Sequence, residues 1–197
     1  SITQIAMPLI EDGILKTILE VITPGAFISL QIAGARTALR IYRERRTLDL
    51  SIAPFLSLAT NCTAWLSYGI LINDTAIKVS NSTAVFIGLT SALTFTRFSS
   101  KSRKTLVPYW LVALFIMAAM LVLLAIELKL PIAYSGATMA VIMIGSPLIV
   151  LRTVIRDKST AALPFAISVV GFVNSALWTL YGFAVADDAF IGVPNAL

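Results

Sequence analysis

No histidine occurs in the 197 residues, which excludes a His-based catalytic triad, a histidine metal site and an imidazole proton switch. Cysteine is almost as scarce. The lone Cys62 lies in an apolar stretch, so it has no partner for an intrachain disulfide and no thiolate cluster to join. Charge is sparse too: 13% of residues are charged, 58% are hydrophobic, and the mean hydropathy is +0.90. A soluble protein of that composition would expose far too much apolar surface, and lipid is the solvent that suits it. No nucleophile–base pair is visible, and no catalytic residues, metal site or cofactor are expected. An enzyme is the least supported class.

The net charge of +5 comes from short basic clusters between hydrophobic runs, not from a basic stripe interleaved with aromatics. Nucleic acid is therefore not an expected partner, and the bilayer is. A membrane crossing needs about 20 apolar residues. Runs of that kind predict helices near 14–37, 52–72, 79–97, 106–128, 132–152 and 163–186, giving an all-α membrane protein. A seventh helix starts near Phe190, and most of it is expected to be missing from this sequence. The start at Ser1, without methionine or leader, reads as a trimmed chain.

Lysine and arginine set the orientation. Arg36, Arg40, Arg43, Arg45, Arg46, Arg97, Lys101, Arg103, Lys104, Arg152, Arg156 and Lys158 follow helices 1, 3 and 5, which leaves Lys16, Lys78 and Lys129 for the other side. Twelve of the 15 basic residues thus mark one face as cytosolic, placing the N-terminus outside and the plasma membrane as the expected location.

Two stretches of the chain repeat one another. Residues 40–81 and 152–195 each hold a basic turn, a Pro-Phe opening, Asn-x-x-x-Trp-x-x-Tyr-Gly, an acid and an Asn. The spacing is 113 for Asn61/Asn174, Trp65/Trp178, Tyr68/Tyr181, Gly69/Gly182 and Asp74/Asp187, and 114 for Asn81/Asn195. Each repeat spans three helices. Three is odd, so a fourth helix between them is needed for both repeats to insert the same way up. The expected plan is a first bundle over 1–98, a linker helix with its cytosolic lead-in over 99–130, and a second bundle over 131–197.

Several residues stand out against this plan. Pro54, Pro147 and Pro164 lie near cytosolic helix ends, where a proline inside a helix would free a carbonyl and bend the axis. Asn81 and Asn195 offer two donors and two acceptors each, which suits a neutral hydroxyl-rich solute better than a charge would. Trp65 and Trp178 sit deeper than headgroup level and offer a flat face for the C–H side of a sugar ring. Tyr68 and Tyr181 come closer to the surface. Asn61 and Asn174 lie deeper, and Asn61 is expected to act through folding. Glu20 is the one acid within an apolar run, in the outer half, where it can snorkel to water.

These motifs resemble those of the eukaryotic SWEET sugar transporters of the MtN3/saliva and PQ-loop group, from about Arg36 to Leu197. The second repeat is the closer match, through Gly145-Ser146-Pro147-Leu148, Leu163-Pro164-Phe165, Trp178-x-x-Tyr181-Gly182 and Pro194-Asn195. Parallel transporter repeats related by an axis along the membrane normal are described for SWEETs as a group. The resemblance implies facilitative transport of mono- or disaccharides by alternating access. It implies sugar binding by Asn81, Asn195, Trp65 and Trp178, an inner-gate hinge at Pro54, Pro147 and Pro164, and an outer gate at Tyr68 with Asp187 or Asp188. Gly34 stands where the family has a fourth proline, and Arg36 where it is usually apolar. Alternatives left open are a proton-coupled PQ-loop amino-acid carrier, whose Pro-Gln pairs this chain lacks, and a non-transporting membrane scaffold or accessory protein. Assembly into a homo-oligomer is also left open.

Overall fold

A computed structural model describes residues 13–47, 50–142 and 165–196, and every regular element among them is helical. The helices are α1 (Ile14–Glu44), α2 (Ala53–Leu71), α3 (Thr75–Phe98), α4 (Arg103–Ala125), α5 (129–142 as described), α6 (Phe165–Ala184) and α7 (Ala189–Ala196). The chain is an all-α membrane protein. Among the described residues α1, α3 and α4 are each long and apolar enough to cross a membrane. In α2 the apolar run is broken by Thr60, Asn61, Thr63 and Ser67. Thr60 and Thr63 return their hydroxyls to the carbonyls of Ser57 and Ala59, at 3.1 and 2.8 Å, so neither needs a partner outside the helix.

Helix ends differ from the sequence expectation where polar groups extend a helix past its apolar run. α1 continues to Glu44 because nothing between Ala38 and Glu44 breaks it and Arg40 Nε meets Glu44 Oε1 at 2.6 Å, one turn apart. α3 begins at Thr75, four residues before the predicted start, because Asp74 accepts the Ile77 N–H at 2.9 Å and caps the first turn. Ser102 caps α4 in the same manner, accepting from the Lys104 N–H.

The chain divides into two units, Phe27–Gly136 and Ser1–Ala26 with Ala137–Leu197. In the first, α2 packs chiefly on α3 and next on α4. Ile41, Ile52, Leu56, Ala92, Phe95, Leu106 and Ala113 form its core toward the basic end. Between membrane helices lipid removes the hydrophobic driving force, so close fit decides. Gly88 supplies it: a Cβ there would lie 3.0 Å from both the Ala59 nitrogen and the Phe55 carbonyl oxygen. Trp110 Nε1 donates to Thr96 Oγ1 at 2.9 Å and ties α4 to α3. In the second unit α6 packs on α7.

Candidate functional site

Each unit contains one tight corner built from the repeated Tyr-Gly pair. In the first, Asn73 takes a left-handed φ of 57° and the Asp74 N–H reaches back to the Gly69 carbonyl at 2.9 Å, a closure that asparagine tolerates better than most residues. In the second, Asp187 takes a φ of 47° and the Asp188 N–H reaches the Gly182 carbonyl at 2.8 Å. Asp188 Oδ1 then accepts the Phe190 N–H at 2.8 Å and caps α7, as Asp74 caps α3.

The geometry corrects the repeat register. The structural mate of Asp74 is Asp188, at the same offset of 114 as Asn81 and Asn195, while Asp187 takes the place of Asn73. The second repeat therefore has one extra residue between Gly182 and Asp188. Of the two acids expected at an outer gate, Asp188 is engaged in capping and Asp187 is exposed.

Folding back so sharply presses the next helix onto the glycine. A Cβ at Gly69 would lie 2.7 Å from Ile77 Cγ2 and 3.3 Å from the Lys78 nitrogen. At Gly182 it would fall on the Gly192 nitrogen and 2.7 Å from the Gly192 Cα. Ile77/Ile191 and Lys78/Gly192 keep the offset of 114, so the two contacts are equivalents.

The corner also sets the asparagines. Each is the seventh residue of its helix, Asn81 in α3 and Asn195 in α7. Asn81 Nδ2 donates to the Ile77 carbonyl at 2.9 Å, and Asn195 Nδ2 to the Ile191 carbonyl at 2.8 Å. A carbonyl only accepts, so the amide nitrogen must face it. Asn81 Nδ2 also reaches Ser80 Oγ at 3.3 Å. Among the described residues neither Oδ1 takes a hydrogen bond. Asn81 is buried and Asn195 half-buried.

Trp65 meets Tyr68 edge to face at 5.9 Å and 85°, and Trp178 meets Tyr181 at 5.5 Å and 74°. Such contacts fix the tilt of the indole. Both tyrosines are buried within the protein, Tyr68 completely. Lys129 Nζ stands 5.5 Å from the centre of the Tyr68 ring. Gly136 of α5 lies against Trp65, a Cβ there falling 3.2 Å from the indole Cε2.

The inner-hinge residues divide. Pro54 lies in the first turn of α2, where its missing N–H would have had no intrahelical partner, so it frees no carbonyl and does not bend an interior. Interior prolines among the described residues are Pro24 in α1, Pro108 in α4 and Pro194 in α7. Gly34 is an exposed helical residue, and a Cβ added there would meet nothing within 4 Å. Gly34→Ala should leave expression unchanged and stiffen α1 by about 1 kcal/mol. A slowed uptake at normal surface level would show that bending at Gly34 is used; unchanged uptake would show that it is not. Pro147 and Pro164 lie outside the described residues.

A second pair of repeated asparagines stands out in the structure. Asn61 Oδ1 and Asn174 Oδ1 are buried without a hydrogen-bond partner among the described residues. Such an acceptor costs about 1–3 kcal/mol unless something donates to it. Each asparagine lies one turn before its tryptophan on the same helix face. The Asn-x-x-x-Trp spacing was the available signal.

The family profile described as a sugar efflux transporter for intercellular exchange matches residues 17–103 and 131–197. The chain is 26% identical to the bidirectional sugar transporter SWEET7 of Arabidopsis thaliana, over 94% of this chain and 76% of that protein. It is 31% identical to SWEET7b of Oryza sativa subsp. indica, over 90% and 68%. It is 27% identical to the sugar transporter SWEET1 of Rattus norvegicus, over 94% and 84%. With the profile matched over both repeats and the tight Tyr-Gly corner built twice, the chain belongs to the MtN3/saliva family, the SWEET sugar transporters.

Proposed function

We propose that this protein carries sugar across a membrane in either direction down its gradient, by alternating access, with no chemical step. The observation that carries the reading is the twofold recurrence of one set of groups: an oriented amide at Asn81 and Asn195, an indole held edge-on by tyrosine at Trp65 and Trp178, and an orphaned acceptor at Asn61 and Asn174. Neutral donors and acceptors beside flat apolar faces suit mono- and disaccharides. The names of the relatives support the same substrate class.

The bundles over 1–98 and 131–197, with 99–130 as linker, agree with a family profile that matches on both sides of residues 104–130 and skips them. We assign Tyr68 and Asp187 to the outer gate, with Asp188 as the cap beneath it. Gly34, Pro54, Pro147 and Pro164 form the inner-gate set. The basic face is cytosolic, the N-terminus extracellular and the membrane the plasma membrane. A tag in the loop beside Arg156 and Lys158 should react in permeabilised cells and not in intact ones. Labelling in intact cells would reverse the orientation.

Transport should equilibrate sugar without concentrating it. The chain has no histidine, and Glu20 stands 3.9 Å from Lys16 with both side chains well exposed. Among the described acids Asp74 and Asp188 are caps. Dissipating a proton gradient should leave initial uptake unchanged, and accumulation above the external level would point to a coupled carrier.

The Asn61 and Asn174 acceptors give a sharper test. Leucine has similar volume and no buried acceptor, so for a purely structural asparagine Asn61→Leu would be neutral or stabilising. If sugar hydroxyls donate to these oxygens, the thermal midpoint should hold or rise while uptake falls at least tenfold. Retained uptake would remove Asn61 from the binding site.

A further inference from the structure

Five arginines fall between Arg36 and Arg46, and α1 presents three of them, Arg36, Arg40 and Arg43, at spacings of four and three. At 100° per residue they lie within about 60° of arc and span roughly 10 Å of helix axis. With Leu39 and Glu44 they line a cavity of about 550 Å³.

The charges there are unevenly matched. Glu44 is ion-paired on both oxygens: Arg40 Nε lies at 2.6 Å from Oε1, and Arg46 Nε at 3.4 Å from the buried Oε2, which takes no hydrogen bond among the described residues. Arg45 stacks over the Tyr42 and Phe98 rings, at 4.6 and 4.9 Å from their centres. Among the described residues Arg36 and Arg43 have no carboxylate partner. Two guanidinium groups, each with donors arranged to grip an oxyanion in bidentate fashion, thus face a cavity that already holds a third.

Depth decides between a soluble anion and a lipid. α1 has 31 residues, about 46 Å at 1.5 Å per residue, against roughly 30 Å of hydrocarbon. A crossing that starts after Lys16, which the charge count leaves on the outer side, exits the hydrocarbon near Arg36, so Arg36 lies at its boundary and Arg40 and Arg43 at headgroup level. A phospholipid's own acyl chains hold its phosphate at that level, and Leu39 on the same wall suits its glycerol end. We propose that the Arg36, Arg40 and Arg43 face of α1 binds the phosphate headgroup of an anionic phospholipid in the cytosolic leaflet. The proposal rests on the membrane orientation given above, which the loop tag tests independently of lipid.

The full chain, purified in neutral detergent, is offered phosphatidylcholine, phosphatidylglycerol or a phosphatidylinositol phosphate, and bound lipid is counted by native mass spectrometry. Anionic lipid should be retained over phosphatidylcholine and fall at least tenfold in R36Q/R43Q. It should persist in K101Q/R103Q, which removes the same charge elsewhere on the basic side. If R36Q/R43Q does not elute as a single species, R36K/R43K replaces it; keeping charge but losing the guanidinium fork, it should bind more weakly than wild type. Equal loss in K101Q/R103Q would mean diffuse surface charge and overturn the site, as would undiminished retention in R36Q/R43Q or R36K/R43K. Soluble inositol phosphate or inorganic phosphate binding as tightly as the lipid would overturn the lipid assignment.

Discussion

Gly182→Ala should yield little folded protein, with surface level and monodisperse yield each falling at least fivefold. The new methyl would sit on the Gly192 nitrogen and 2.7 Å from its Cα. Overpacking against side chains costs about 1–3 kcal/mol because they can rotate away. Backbone in the first turn of α7 cannot do so without opening the corner, and that corner carries the Asp188 N–H to Gly182 bond and the Asp188 cap. Gly69→Ala should be milder, since its nearest contact is the Ile77 methyl and the Lys78 nitrogen is 3.3 Å away. Gly171→Ala, with nothing within 4 Å, serves as the control. Size-exclusion profiles and apparent melting temperatures of the three variants check the order. Gly182→Ala behaving like Gly171→Ala would refute the close approach.

The repeat was legible in the sequence because function and packing both wrote themselves into residue types: glycine at the corner, tryptophan four residues after asparagine, asparagine again in the next helix. Among the described residues the existence of the helices was legible from apolar runs alone. Helix ends were not, because α1 and α3 are extended by polar contacts, the Arg40–Glu44 pair and the Asp74 cap, that a hydropathy reading counts against a helix. The one-residue slip before Asp188 escaped for a related reason. Two adjacent aspartates are equivalent as letters, and only their φ and hydrogen bonds tell the cap from the left-handed turn residue. The burial of Tyr68 and Tyr181, and the orphaned oxygens of Asn61 and Asn174, depend on what each helix meets. Pattern within a single helix carries no such information. Pro54 shows the converse: the sequence expects a proline inside a helix to free a carbonyl, and its place in the first turn of α2 removes that effect.

Asn81→Ala and Asn195→Ala should each abolish most sugar uptake while leaving the protein at the membrane. Both amides are oriented by a bond to the carbonyl four residues earlier, 2.9 Å to Ile77 and 2.8 Å to Ile191, and that bond leaves the amide oxygen to accept from a substrate hydroxyl. Losing hydrogen bonds to sugar hydroxyls is worth about 1–3 kcal/mol of binding, roughly 5- to 150-fold in affinity. At sugar concentrations near the wild-type half-saturation point, uptake would then fall several-fold or more. The lost helix bond could instead loosen α3, and Thr83→Val separates the two causes. Thr83 Oγ1 makes the equivalent bond to the Val79 carbonyl at 2.9 Å in the same helix, so its removal costs the same local contact without touching the amide. Thr83→Val should transport normally. Asn81→Gln, which keeps the amide but moves it by a methylene, should recover part of the affinity and none of the lost maximal rate that a folding defect would bring. Concentration dependence of uptake, normalised to surface protein, reads both quantities. Wild-type apparent affinity in Asn81→Ala at full surface expression would remove that residue from the binding site.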